Sequence, residues 1–147
     1  MPLIDLYLSE TVLDAEARQV LADEIARLVR AAEGYGDSRL AASLSWVYLH
    51  PMPETQITRS GAAPARPLWR IEVASPAGSL AADARPALAE RLARACLAAE
   101  GTPWDPAEAC RVWVLFRDVA EGDWIAGTTV ARVEAIRGAV AREMAAA

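Results

Sequence analysis

The second residue of this chain is a proline, and it offers chemistry that no side chain of the sequence supplies. Removal of Met1 would leave Pro2 as a secondary amine with no side-chain freedom. An unperturbed α-amino group titrates at about 7.7–8.0. Burial or nearby arginines would lower that value, giving a neutral amine at pH 7 that can act as a general base on a carbonyl compound. A charged amine is instead a general acid, able to protonate an alkene. Other catalytic groups are scarce. All 15 basic side chains are arginine, which excludes a Schiff-base lysine and a lysine general base. His50 is the single histidine, and there is no Gly-x-Ser-x-Gly elbow for a serine nucleophile. Without a Cys-x-x-Cys pair no zinc site is expected, and Cys96 and Cys110 read as buried free thiols. The expectation is chemistry without cofactor or metal.

The elements that must position Pro2 are written as a repeat. Pro2-Leu3-Ile4-Asp5-Leu6-Tyr7-Leu8 echoes Pro67-Leu68-Trp69-Arg70-Ile71-Glu72-Val73. Asp14 to Gly34 matches Ala81 to Gly101 at a constant offset. At the same offset Ser45-Trp46-Val47-Tyr48-Leu49-His50 lies over Val112-Trp113-Val114-Leu115-Phe116-Arg117. Each half reads strand, helix, strand, with strands over about 2–8, 43–50, 68–74 and 111–118. Leu13, Ala17, Val20, Leu21, Ile25, Leu28 and Val29 recur at helical spacing, as do Ala84, Leu88, Leu92, Ala95 and Ala99. Gly34 and Gly101 follow the last turns, where a left-handed cap belongs. Residues 60–67 form a linker by composition, and a last, weakly amphipathic helix covers about 130–145.

The expected fold is α/β (α+β): two tandem β-α-β repeats forming a four-stranded sheet with two helices on one face, plus short hairpins and a C-terminal helix. The chain reads as one domain, with units at 1–61 and 67–130 and the last helix at 131–147. The other sheet face is left bare, carrying Leu3, Asp5, Tyr7, Leu68, Arg70 and Glu72 by alternation. Self-association into a closed ring would cover it. A net charge of −5 without a basic cluster argues against nucleic acid and anionic membranes. No apolar run approaches the roughly 20 residues of a membrane span, and the N-terminus has no basic n-region, so a cytoplasmic location is expected.

The second half resembles 4-oxalocrotonate tautomerase over nearly its whole length. Pro67 to Val73 is similar to that family's first strand, and Arg111 to Val119 to its second. Glu121-Gly122-Asp123-Trp124-Ile125-Ala126-Gly127 resembles its aromatic-x-x-Gly hairpin. A fused, proline-initiated chain is similar to cis-3-chloroacrylic acid dehalogenase and malonate semialdehyde decarboxylase. The resemblance implies a tautomerase-superfamily, MIF-like fold, a homotrimer, and Pro2 as catalytic amine. It implies keto-enol isomerisation of a small carbonyl compound or unsaturated acid, with Pro2 as general base. Hydratase, dehalogenase or decarboxylase chemistry with Pro2 as acid is the alternative, as is a non-catalytic binding or assembly member.

The chain departs from those families where they hold a substrate carboxylate. The loop Ala74-Ser75-Pro76-Ala77-Gly78-Ser79 carries no arginine, and there is none between Arg70 and Arg85. Trp113 stands where the tautomerase has its second-strand arginine. Leu115 and Val29 stand where the dehalogenase has its tyrosine and histidine. The expected pocket is therefore more apolar, walled by Trp113 and Trp124, with Ser75 and Ser79 as donors. An anion would be held by Arg70, Arg117, Arg39 or an arginine from a neighbouring subunit. Asp37, in the Gly36-Asp37-Ser38 turn, lies near where the decarboxylase has a carboxylate.

Overall fold

A computed structural model describes residues 2–146. Alternating apolar side chains make β1 (Leu3–Ser9), and an Asp14 side chain accepting from the Ala17 N–H caps α1 (Ala15–Ala32). A short helix α2 (Arg39–Ser43) precedes β2 (Trp46–Met52). The second half repeats this with β3 (Trp69–Pro76), α3 (Arg85–Ala99), a one-turn helix α4 (Pro106–Ala109) and β4 (Val112–Val119). A hairpin of β5 (Ile125–Ala126) and β6 (Thr129–Val130) follows, then α5 (Val133–Ala145).

The sheet order is β2-β1-β3-β4. β1 and β2 are parallel, as are β3 and β4, and the two halves meet antiparallel along β1 and β3. Ile4, Leu6 and Leu8 of β1 and Trp69, Ile71 and Val73 of β3 are buried under Leu21, Ile25 and Val29 of α1 and Leu88, Leu92 and Leu97 of α3. The same alternation leaves the opposite face without a covering layer. Three rows cross it: Trp46–Leu3–Ala74–Arg117, Tyr48–Asp5–Glu72–Leu115 and His50–Tyr7–Arg70–Trp113.

The structure corrects three expectations about the elements. The second strand begins at Trp46, because Ser38 caps a helical turn over Arg39–Ser43 that the apolar Leu40–Leu44 run conceals. Cys96 and Cys110 are both free, but only Cys96 is buried. The repeat also runs at one offset throughout. Leu3 pairs with Trp46 as Arg70 pairs with Trp113, so Trp69 and not Pro67 is the counterpart of Pro2. The Pro-Leu echo is out of register by two residues. A slip of two keeps every side chain on its face, so alternation alone does not reveal it.

Candidate active site

Pro2 is buried at the head of β1, where its carbonyl accepts from the Trp46 N–H at 3.2 Å. Leu3 lies opposite Ala74, and the same register continued sets Pro2 opposite Ser75. Directly opposed residues share a face, with Cβ atoms about 4.5–5.5 Å apart. Pro2 shares its face with Ile4 and Leu6, and Ser75 with Val73 and Ile71, so both point to the helix side.

On that side stands a buried carboxylate. Glu33 caps the C-terminus of α1 and is 8% exposed. Its Oε1 accepts from the Ser75 hydroxyl at 2.9 Å and from the Ser79 hydroxyl at 3.0 Å. The turn after β3 and the end of α1 thus meet in a buried hydrogen-bonded cluster at the sheet end where β1 begins. Tyr35 is buried beside it, its hydroxyl raised above the ordinary value by burial and by the Glu33 charge, against the opposing pull of Arg137. Arg137 belongs to α5 and donates to the Gly78 carbonyl at 2.7 Å. Val140 and Ile136 of α5 pack with Tyr35, Leu40 and Ala41. Glu143 accepts from the Ser38 hydroxyl and the Leu40 N–H, fixing the far end of α5.

The counterpart of Glu33 in the second half is Glu100, at the end of α3. It accepts from Trp69 Nε1 at 3.0 Å, from the Thr102 hydroxyl at 2.6 Å, and from Arg111. Burial alone would raise the Glu100 carboxyl, but these hydrogen bonds outweigh it and hold it below its usual range. Arg111 is absent from the first half, where Leu44 occupies its place.

The structure gathers some of the residues expected at the pocket and separates others. Ser75 lies at the end of β3 that faces the head of β1, and both Ser75 and Ser79 are buried and spend their hydroxyl protons on Glu33. Arg117 lies on the bare face at the Pro2 end, paired to Glu72 at 2.8 Å. Arg70 and Trp113 face one another at the start of β3, five residues from Ser75 and about 17 Å away at strand rise. Neither walls the Pro2 pocket within one chain, because the β3–β4 pair is parallel and sets Trp113 at its far end. The tryptophan beside Pro2 is Trp46, the counterpart of Trp113. Trp124 is half-buried in the β5–β6 hairpin, where its carbonyl accepts from Ala131, and Asp37 is exposed in its turn. His50 hydrogen-bonds Asp5 at 2.6 Å and stacks on Tyr7. Glu33 and Tyr35 were not singled out from the sequence, and Trp46 was noted there only as the counterpart of Trp113. The signal for Glu33 was the matched Ala-Ala-Glu-Gly at both helix ends.

Two large cavities lie elsewhere. One, of about 870 Å³, is a groove between α1 and α3 that includes Val20, Leu28 and Ala95. The other, of about 800 Å³, is lined by Tyr7, Ile57, Arg59, Trp69, Arg70 and Trp113, at the sheet end of the Pro2 counterpart. Among the described residues no group of acidic, histidine and cysteine side chains is placed to hold a metal ion. Among the described residues no helix is long and apolar enough to cross a membrane.

This architecture is shared with solved structures. A fused 4-OT, described as a wild-type asymmetric trimer, superposes with a TM-score of 0.71 at 22% identity, over 90% of this chain and 98% of that one. Pt0534, inactivated by 2-oxo-3-pentynoate, gives 0.70 at 22% identity, over 87% and 95%. Macrophage migration inhibitory factor of Toxoplasma gondii gives 0.68 at 18% identity, over 88% and 99%. The fold is that of the tautomerase superfamily. No family profile and no curated protein matches the chain. At such identities the likeness is one of fold, and the tautomerase fold here carries its own set of residues around Pro2.

Proposed function

We propose that this chain is a cofactor-independent tautomerase in which the amine of Pro2, freed of Met1, carries a proton between oxygen and carbon of a small carbonyl compound. An α-keto acid and its enol are the substrate class. The observation that carries this reading is Pro2 itself, buried at the head of β1 beside a buried polar cluster in a tautomerase fold. In ketonisation the enol loses its hydroxyl proton and gains one at carbon. One amine serves both steps, without net transfer of electrons. Pro67 has no such role, being an internal amide. Each chain therefore provides one amine.

Arg117 has its Cα beside Ala74 near the Pro2 end, and its guanidinium pairs with Glu72 on the bare face. It would be the cation offered to a substrate carboxylate reaching past the edge of the sheet. Trp46 would supply an apolar wall beside it. The bare face itself fits self-association into a trimer. Trp46, Tyr48 and Trp113 are 60%, 49% and 69% exposed there, more apolar surface than a lone sheet face keeps in water. The fused 4-OT structures are described as trimers, and the same assembly would close the pocket with a neighbouring chain.

The acetylenic keto acid 2-oxo-3-pentynoate tests the reading. It should add once per chain, at the Pro2 amine, as read by intact mass and peptide mapping of protein lacking Met1. No adduct on Pro2, or a chain purified with Met1 in place, would contradict it. A second reading, with Pro2 charged and acting as a general acid in hydration, dehalogenation or decarboxylation, is favoured by one observation: the carboxylate on its own face of the sheet.

A further inference from the structure

We propose that the groove of about 800 Å³ at the start of β3 and β4 is a second ligand site, built to bind a planar aromatic monocarboxylate. It lies at the end of the sheet opposite Pro2, and nothing in it depends on the Pro2 amine. Three parts of the chain build it. They are the end of β1 at Tyr7 and Leu8, the start of the second unit at Leu68, Trp69 and Arg70, and the linker between Gln56 and Arg66. Its volume falls in the range of about 300–1,000 Å³ typical of small-molecule sites. It is a binding site rather than a second centre of proton transfer. The nitrogen at this strand start is the Trp69 indole, and it already donates to Glu100 at 3.0 Å.

Charge decides the class of ligand. Arg59, Arg66, Arg70 and Arg111 line the groove against one carboxylate, Glu108, in a chain whose net charge is −5. Three of these guanidiniums are committed. Arg66 and Arg111 share Glu100 and Glu108, two cations to two carboxylates, and Arg70 pairs with Glu72. Arg59 is exposed, and among the described residues no carboxylate pairs with it. One uncommitted guanidinium suits one carboxylate, which it can grip with two parallel hydrogen bonds, whereas a phosphate dianion would need a second. The backbone fixes Arg59 in place. Its N–H donates to the Ala62 carbonyl at 2.8 Å, and its carbonyl accepts from the Ala62 N–H at 3.2 Å. Ser60 and Gly61 between them have φ of 54° and 81°, as a tight two-residue hairpin requires.

The rest of the lining suits a flat apolar body. Ile57, Pro64 and Leu68 are apolar walls. Tyr7 is already engaged, with His50 stacked on it at 4.3 Å and the Arg70 guanidinium 4.7 Å from its ring centre. Trp113 is the ring left open. It stands beside Arg70 on the edge strand β4 and is 69% exposed, and among the described residues no ring stacks on it. A planar ring laid on that indole, with its carboxylate turned to Arg59, satisfies both features at once.

Titration calorimetry of the full chain with 2-naphthoate, which has no enolisable carbonyl, tests the site without turnover. The acid should bind the wild type. Arg59→Ala should weaken that binding about tenfold or more, since a hydrogen bond to a charged group is lost. Trp113→Ala should weaken it about two- to tenfold. The uncharged 2-naphthamide should bind about tenfold more weakly than the acid. Cys110 reports where the ligand sits, being exposed in the groove lining while Cys96 is buried. Iodoacetamide should label Cys110, and 2-naphthoate should slow that labelling in the wild type. Absence of binding, equal affinity in the wild type and Arg59→Ala, or labelling of Cys110 unchanged by bound 2-naphthoate would each overturn the proposal. Displacement of 2-naphthoate by an equal concentration of inorganic phosphate would also overturn it, by assigning the groove to a dianion. None of these outcomes depends on whether Pro2 carries a proton.

Discussion

Glu33 and Glu100 occupy one position in two copies of one unit and differ in the partners built around them. Glu100 is embedded with Arg111, Trp69 and Thr102, whereas Glu33 is held by two serines beside Pro2. A buried carboxylate stripped of its arginine is strongly destabilised. Arg111→Leu should therefore lower the unfolding free energy by about 3–5 kcal/mol, measured by denaturant titration. A loss below about 1 kcal/mol would show that the pair is solvated. Pro2 stands out in the sequence as a candidate because an amine freed by loss of Met1 depends on position alone. Ser75 and Ser79 were legible as polar residues of the loop after β3 but not as donors to Glu33, since their partner lies 42 and 46 residues away. Trp113 was misplaced because a tryptophan on the matching strand looks the same from sequence, and only the parallel register separates it from Trp46.

The four strands and two long helices were readable from period alone, since each buries one clear stripe. Boundaries set by local capping were not, as at α2, where Ser38 turns an apolar stretch into a helix rather than a strand. Capping gives a prediction at α1. Asp14→Ala removes the acceptor of the Ala17 N–H at 2.8 Å and should destabilise the protein by about 1 kcal/mol, seen as a lower denaturant midpoint. The end of α3 gives another. The folded Glu100 carboxyl lies below its usual value of 4.5, so its contribution is complete above that pH and is lost as pH falls through the folded value. Thermal midpoints should fall on acidification below about pH 4.5, and less steeply in Glu100→Gln. Parallel slopes in the two proteins would refute this assignment.

The whole molecule presents a two-layer body whose second sheet face mixes Trp46, Tyr48, Trp113 and Leu115 with the Asp5–His50 and Arg117–Glu72 pairs. Alternation in the sequence foretold this face, while its charge pairing depends on cross-strand register. A closed trimer of 15.8 kDa chains is the expected particle in sedimentation equilibrium. Leu115→Glu, which sets a second carboxylate directly beside Glu72 at the centre of the face, should dissociate it. A wild-type chain sedimenting as a monomer would remove the covering layer invoked for the Pro2 pocket.

The measurement closest to the central claim is the rate of ketonisation of an enolised α-keto acid by the wild type and by Pro2→Ala, both with Met1 confirmed absent. The account predicts a fall of about 10²–10⁴-fold in kcat/KM for the variant, with assembly unchanged. Equal rates in the two proteins would contradict it.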